Sequence, residues 1–140
     1  MSAGARAWRD RFDPSLCVVL GPGDTAGREV VTVACAAAAA GATMVQLRWK
    51  DAPGRELAAV ARALVRALAP LGVPLVVDDR PDVARVAGAA GVHVGDDDLL
   101  PADARAIVGP GAIVGVSVTA PGEVTRVDRD VADYAGVGPV

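Results

Sequence analysis

Aromatic residues are scarce: Trp8, Phe12, Trp49 and Tyr134 are the four among 140 positions. No block of basic residues occurs, and the formal net charge is −3. A nucleic-acid binder presents a basic face or stacking aromatics, so that class is set aside. Cysteine is limited to Cys17 and Cys35, which lack any metal-ligand spacing. They read as small buried hydrophobes rather than as a zinc pair or a disulfide. No apolar run approaches the roughly 20 residues that span a bilayer. The opening MSAGARAWRDRFDPS has no apolar stretch of signal-peptide type. The expectation is a cytoplasmic protein with neither membrane nor nucleic acid as a partner. No G-x-G-x-x-G or P-loop signature is present. No Ser–His–Asp set or supported Cys–His pair suggests a covalent nucleophile.

What the chain has is apolar bulk, with 52% hydrophobic residues, and a regular beat. Six short β-type runs, at 16–20, 43–49, 73–78, 91–95, 112–118 and 133–138, alternate with alanine-rich segments. Those segments, at 27–41, 54–70, 81–91, 101–109 and from about Pro121 to Val131, predict five helices. The stripe Leu57, Val60, Ala61, Leu64, Val65 and Leu68 marks the clearest helical period. Gly41, Gly72 and Gly109 stand where helices should stop, and Pro81 and Pro101 where they should start.

Such alternation with short connections predicts βαβ units and a parallel sheet, in one domain over residues 15–140 after an N-terminal extension, 1–14. An open doubly wound sheet and an incomplete (β/α)₈ TIM barrel both fit. Both place functional groups at the carboxyl ends of the strands, so those ends carry the functional reading.

In MVQLRWKD, side chains alternate faces, and Gln46, Arg48 and Lys50 share one. Arg48 suits bidentate contact with a phosphate, and Lys50 adds a mobile charge. Either this row receives an anion or it is the polar face of an exposed edge strand. The third run ends in Asp78-Asp79-Arg80 before Pro81, which reads as hard-cation chemistry or as a helix cap. The fourth ends in Asp96-Asp97-Asp98, and one cap does not account for three carboxylates. Neighbouring strands lie about 4.8 Å apart, so carboxylates at adjacent tips can reach one cation. His93, inside the fourth strand, reads as a packed or hydrogen-bonded histidine. Ser117, near the fifth tip, either binds phosphate or caps the segment at Pro121.

QLRWK, VVDDRPDVA, GVHVGDDDL, IVGVSVT and ADYAGVGPV, in this order from about Leu16 to Val140, resemble thiamine phosphate synthase. The resemblance implies a (β/α)₈ barrel, here incomplete, with about six parallel strands and five helices. It implies a transferase that joins hydroxymethylpyrimidine diphosphate to hydroxyethylthiazole phosphate and releases diphosphate. It places Gln46 against the pyrimidine, with Arg48 and Lys50 on the diphosphate. It puts Asp78 and Ser117 near that diphosphate, and magnesium on Asp79 and Asp98. The chain departs from the family at Asp78, where an asparagine is usual, and at Asp96, where a glutamine is usual. The family continues past the position of Val140 into a lysine-bearing loop and two more strands. The expectation is therefore a marginally stable, poorly active chain that self-associates through open edges. A thiazole tautomerase-like relative and a non-catalytic phosphate-binding module are the alternatives. The tautomerase carries a histidine where this chain has Val118, and lacks the aspartates.

Overall fold

The computed structural model describes residues 12–139; the extension predicted over residues 1–14 lies largely outside them. The strands are β1 (Cys17–Leu20), β2 (Met44–Leu47), β3 (Leu75–Asp78), β4 (Gly91–Val94), β5 (Ile113–Val118) and β6 (Tyr134–Val137). The helices are α1 (Val30–Ala39), α2 (Gly54–Leu68), α3 (Pro81–Ala87) and α4 (Pro101–Val108).

Every strand pairs in parallel with the next in chain order, β1-β2-β3-β4-β5-β6. A doubly wound sheet reverses its strand order at a switch point, and no reversal occurs here. The arrangement is a half-barrel of six parallel strands with helices outside. β2 lies between β1 and β3, which removes the edge-strand reading of the Gln46 row.

The central strands, β2 to β5, bury both faces, while β1 and β6 at the edges are more exposed. Val45, Leu47, Leu75, Val77, Val92, Val94, Val114 and Val116 pack outward against the helices. Leu57, Ala61, Leu64 and Leu68 of α2 meet them, so the predicted stripe is the buried one. A smaller cluster of Met44, Val76 and Ile113, with Cys17 and Tyr134, lies on the inner face. Cys17 and Cys35 are free thiols, half-buried rather than fully enclosed. Among the described residues, no helix is long and apolar enough to cross a membrane.

Local chemistry sets the helix ends. Pro81 and Pro101 open α3 and α4 at positions where a missing N–H costs nothing. Gly88 closes α3 at φ +70°, a conformation that side chains with a Cβ resist. Glu29 caps α1 by accepting from Val31 and Thr32 N–H.

The fifth helix does not form. The segment from Pro121 is a six-residue 3₁₀ turn, Pro121–Arg126. Val124, Val127 and Val131 have helical spacing, but local side-chain bonds win. The Glu123 carboxylate accepts from Thr119 and Ala120 N–H, and Asp128 accepts from Asp130 N–H at 2.9 Å. Such bonds offer the backbone a turn in place of a helix. Arg105 of α4 then ties the loop down, donating to the Val131 carbonyl at 2.8 Å and to Asp133 at 2.7 Å. Asp133 also accepts from Val114 N–H, which seats the start of β6 against β5.

Candidate active site at the strand ends

β2 ends at Leu47, yet Arg48 N–H still donates to the Leu20 carbonyl at 3.0 Å, so strand geometry persists one residue further. Gly21 makes this possible: a Cβ there would lie 2.1 Å from the Arg48 carbonyl oxygen. The Arg48 and Lys50 side chains emerge half-exposed over the tip of β3. Arg48 Nε stands 3.6 Å from Asp78 Oδ2, and Lys50 Nζ 3.7 Å from the same oxygen. Lys50 also donates a short hydrogen bond to Asp79.

Asp79 has φ +69°, in the left-handed region that aspartate tolerates better than most residues. Its N–H donates to the His93 carbonyl at 2.8 Å, carrying the β3–β4 pairing one residue past β3. It is not a helix cap: α3 begins after Arg80, with no side-chain cap, and Arg80 instead grips Asp82 at 2.8–2.9 Å. Asp98 folds back over the β4 tip and accepts from Gly95 N–H at 2.8 Å. It does not cap α4 either, and its carboxyl lies beside that of Asp79. Asp96 and Asp97 are exposed.

These contacts set the charge states. Burial and the neighbouring Asp79 raise the Asp78 carboxyl to about 6, against the pull of Lys50 and Arg48. Burial and the neighbouring Asp79 raise Asp98. Burial also works to raise Asp79, but its bond to Lys50 and the neighbouring Asp98 outweigh that and hold it low. The Asp79 bond raises Lys50, which stays a cation. Two carboxyl groups this close share either a proton or a cation. Among the described residues, no group of three or more His, Cys, Asp or Glu side chains forms a metal cage. A two-carboxylate site fits magnesium, which keeps several water or phosphate oxygens in its shell.

Below this tip layer lies a polar path on the inner face. Gln46, 7% exposed, sits between Val19 and Val76 in register on the inner face. Tyr134 Oη is 2.8 Å from His93 Nδ1, and His93 Nε2 is 2.8 Å from Ser117 Oγ. Ser117 therefore does not cap the segment at Pro121; Glu123 does. Burial lowers the His93 pKa, so the imidazole is neutral, in keeping with a hydrogen-bonded histidine. Tyr134 is the member of this group that sequence reasoning passed over. Its available signal was a lone tyrosine on a strand otherwise built of small residues.

The structure thus gathers Arg48, Lys50, Asp78, Asp79 and Asp98 at one end of the half-barrel, with Gln46 and Ser117 on the inner wall. The thiamine monophosphate synthase family model matches residues 16–140. The thiamine-phosphate synthase of Xanthobacter autotrophicus is 53% identical over 129 residues, covering 92% of this chain and 61% of that protein. That of Solidesulfovibrio magneticus is 48% identical over 132 residues, covering 94% and 63%. The solved thiamine phosphate pyrophosphorylase of Pyrococcus furiosus superposes with a TM-score of 0.80 at 32% identity, covering 95% of this chain and 63% of that one. The chain spans a little over three fifths of the length of these relatives. On this sequence and structural evidence, the chain belongs to the thiamine monophosphate synthase family.

Proposed function

We propose that the whole protein couples hydroxymethylpyrimidine diphosphate to hydroxyethylthiazole phosphate, giving thiamine phosphate and diphosphate. The observation that carries this is the gathering of two cations, Arg48 and Lys50, over Asp78 and Asp79, with Asp98 beside Asp79 at the adjoining strand tip. The names of the relatives support the same reading.

In the reaction, the bond between the pyrimidine methylene carbon and the diphosphate oxygen breaks, and its electron pair leaves with the diphosphate. The thiazole nitrogen lone pair forms the new carbon–nitrogen bond, and that nitrogen becomes the cationic centre of the product. No side-chain nucleophile is needed, consistent with the absence of a triad in the sequence. Arg48 and Lys50 bind the diphosphate and stabilise the charge that develops on it. Ser117 adds a hydroxyl donor beside it, and Gln46 orients the pyrimidine from the inner wall. Asp78 shapes the floor under Arg48 and Lys50. Asp79 and Asp98 would hold a magnesium ion, which would supply Lewis-acid neutralisation of the leaving group.

Calorimetric titration of the chain with hydroxymethylpyrimidine diphosphate and magnesium tests the reading. Saturable heat that requires both ligands supports it. No heat with either ligand overturns it.

A further inference from the structure

The path Tyr134–His93–Ser117 crosses the inner wall through side chains of β6, β4 and β5. Each joint in such a path has a direction, because a neutral imidazole carries one N–H and a phenol one O–H. In one direction, the Tyr134 phenol donates its proton to His93 Nδ1. The imidazole proton then sits on Nε2 and goes to Ser117 Oγ. The Ser117 proton is left free for an outside acceptor. If the path ran the other way, Ser117 would spend its proton on His93 and offer lone pairs alone to a ligand. A phosphoryl oxygen needs a donor, so only the first direction is useful at an anion site.

We infer that Tyr134 and His93 are positioning residues that fix this direction, so that the Ser117 hydroxyl presents its proton to a phosphoryl oxygen. The inference rests on the proposed reading of the strand tips as a diphosphate site.

Backbone features built into three strands hold the path in place. His93, Gly115 and Tyr134 lie side by side in register across β4, β5 and β6. A Cβ on Gly115 would stand 2.1 Å from Tyr134 Cζ and 2.4 Å from its Oη, so only glycine leaves the slot that the ring fills. Gly136, in register with Ser117, lies against the imidazole: an added Cβ would make ordinary contact with His93 Cε1 at 3.5 Å. The His93 and Tyr134 rings pack in a tilted arrangement, with centroids 5.4 Å apart and planes 36° from parallel. His93 is 8% exposed, and both of its ring nitrogens are engaged at 2.8 Å, by Tyr134 and by Ser117.

His93 is the sole histidine of the chain, so histidine-specific ¹⁵N labelling reads its tautomer without assignment. The expected result is a proton on Nε2 in the unsubstituted chain and a shift toward Nδ1–H in Tyr134→Phe. A proton on Nδ1 in the unsubstituted chain overturns the inference. Binding of inorganic diphosphate with magnesium supplies the second readout, on variants matched for circular dichroism. Tyr134→Phe should weaken binding by roughly three- to tenfold, the range of one neutral hydrogen bond. In a Ser117→Ala background the same substitution should change nothing, because Tyr134 acts through Ser117. Equal weakening with and without Ser117 would assign Tyr134 a merely structural role and overturn the inference. His93→Gln, which keeps an N–H for Ser117 and a carbonyl for Tyr134, should bind better than His93→Leu. If the unsubstituted chain bound no diphosphate, the site reading would fall, while the nitrogen resonances would still decide the direction of the path.

Discussion

Asp78→Asn should make the metal-free chain more stable at neutral pH. The Asp78 side chain is 8% exposed, beside Asp79, with Arg48 and Lys50 at 3.6 and 3.7 Å. Burial and the like charge of Asp79 outweigh those two cations and raise its carboxyl from 3.8 to about 6. The folded chain therefore holds this proton more tightly than the unfolded chain. The resulting stability is full below the unfolded value and is lost as pH rises through the folded one. Two units correspond to about 3 kcal/mol at 1.36 per unit. Screening by solvent reaching through the half-exposed Arg48 and Lys50 reduces this to about 1–2 kcal/mol. Asparagine keeps the shape and removes the charge. Urea unfolding with chelator present should show Asp78→Asn gaining about 1–2 kcal/mol at about pH 7.5, with the gain shrinking toward zero at about pH 4. A loss of stability at neutral pH would refute the reasoning, since attraction to Arg48 and Lys50 would then exceed the cost of burial. So would a gain that did not vary with pH.

Further outcomes follow from the same geometry. Arg48→Ala should weaken binding of the pyrimidine diphosphate about ten- to hundredfold, the range for a hydrogen bond to a charged group; unchanged calorimetric affinity would remove Arg48 from the anion site. Asp98→Ala should abolish any rise in melting temperature produced by magnesium, and a rise equal to that of the unsubstituted chain would take Asp98 out of the metal site. Gly115→Ala, with its Cβ 2.1 Å from Tyr134 Cζ, should cost about 1–3 kcal/mol through displacement of the ring. An unchanged thermal midpoint would show that the slot is not tight. Leu64→Ala, at a position with 0% exposure between α2 and the sheet, should cost about 2–5 kcal/mol in chemical denaturation. A smaller loss would mean that α2 is not anchored by its stripe.

Patterns that reside within one element were readable from the chain itself. Period-2 and period-3.6 spacing, with proline starts and glycine stops, located all six strands and the four α-helices, because those signals depend on neighbours a few positions away. The same reasoning failed after Pro121. There the valine spacing was helical, while Glu123 and Asp128 bonded to nearby backbone N–H groups and made turns. Alternation along β2 placed Gln46 on one face with Arg48, and the acid-rich tips of β3 and β4 marked where the chemistry gathers. Whether those acids were caps or site residues depended on contacts that local sequence does not encode.

The sequence by itself determined the βα beat, the apolar faces and the residue types at each strand end, since each follows from local periodicity and side-chain chemistry. Tertiary structure alone decided the strand order, which separates a half-barrel from a doubly wound sheet. It also decided which aspartates meet and how the inner wall is wired. Lys50 reaches Asp79 across 29 positions, His93 reaches Ser117 across 24 and Tyr134 across 41. Pairings at such separations exist only once parallel strands set their register, because a one-residue slip would turn every one of these side chains to the opposite face.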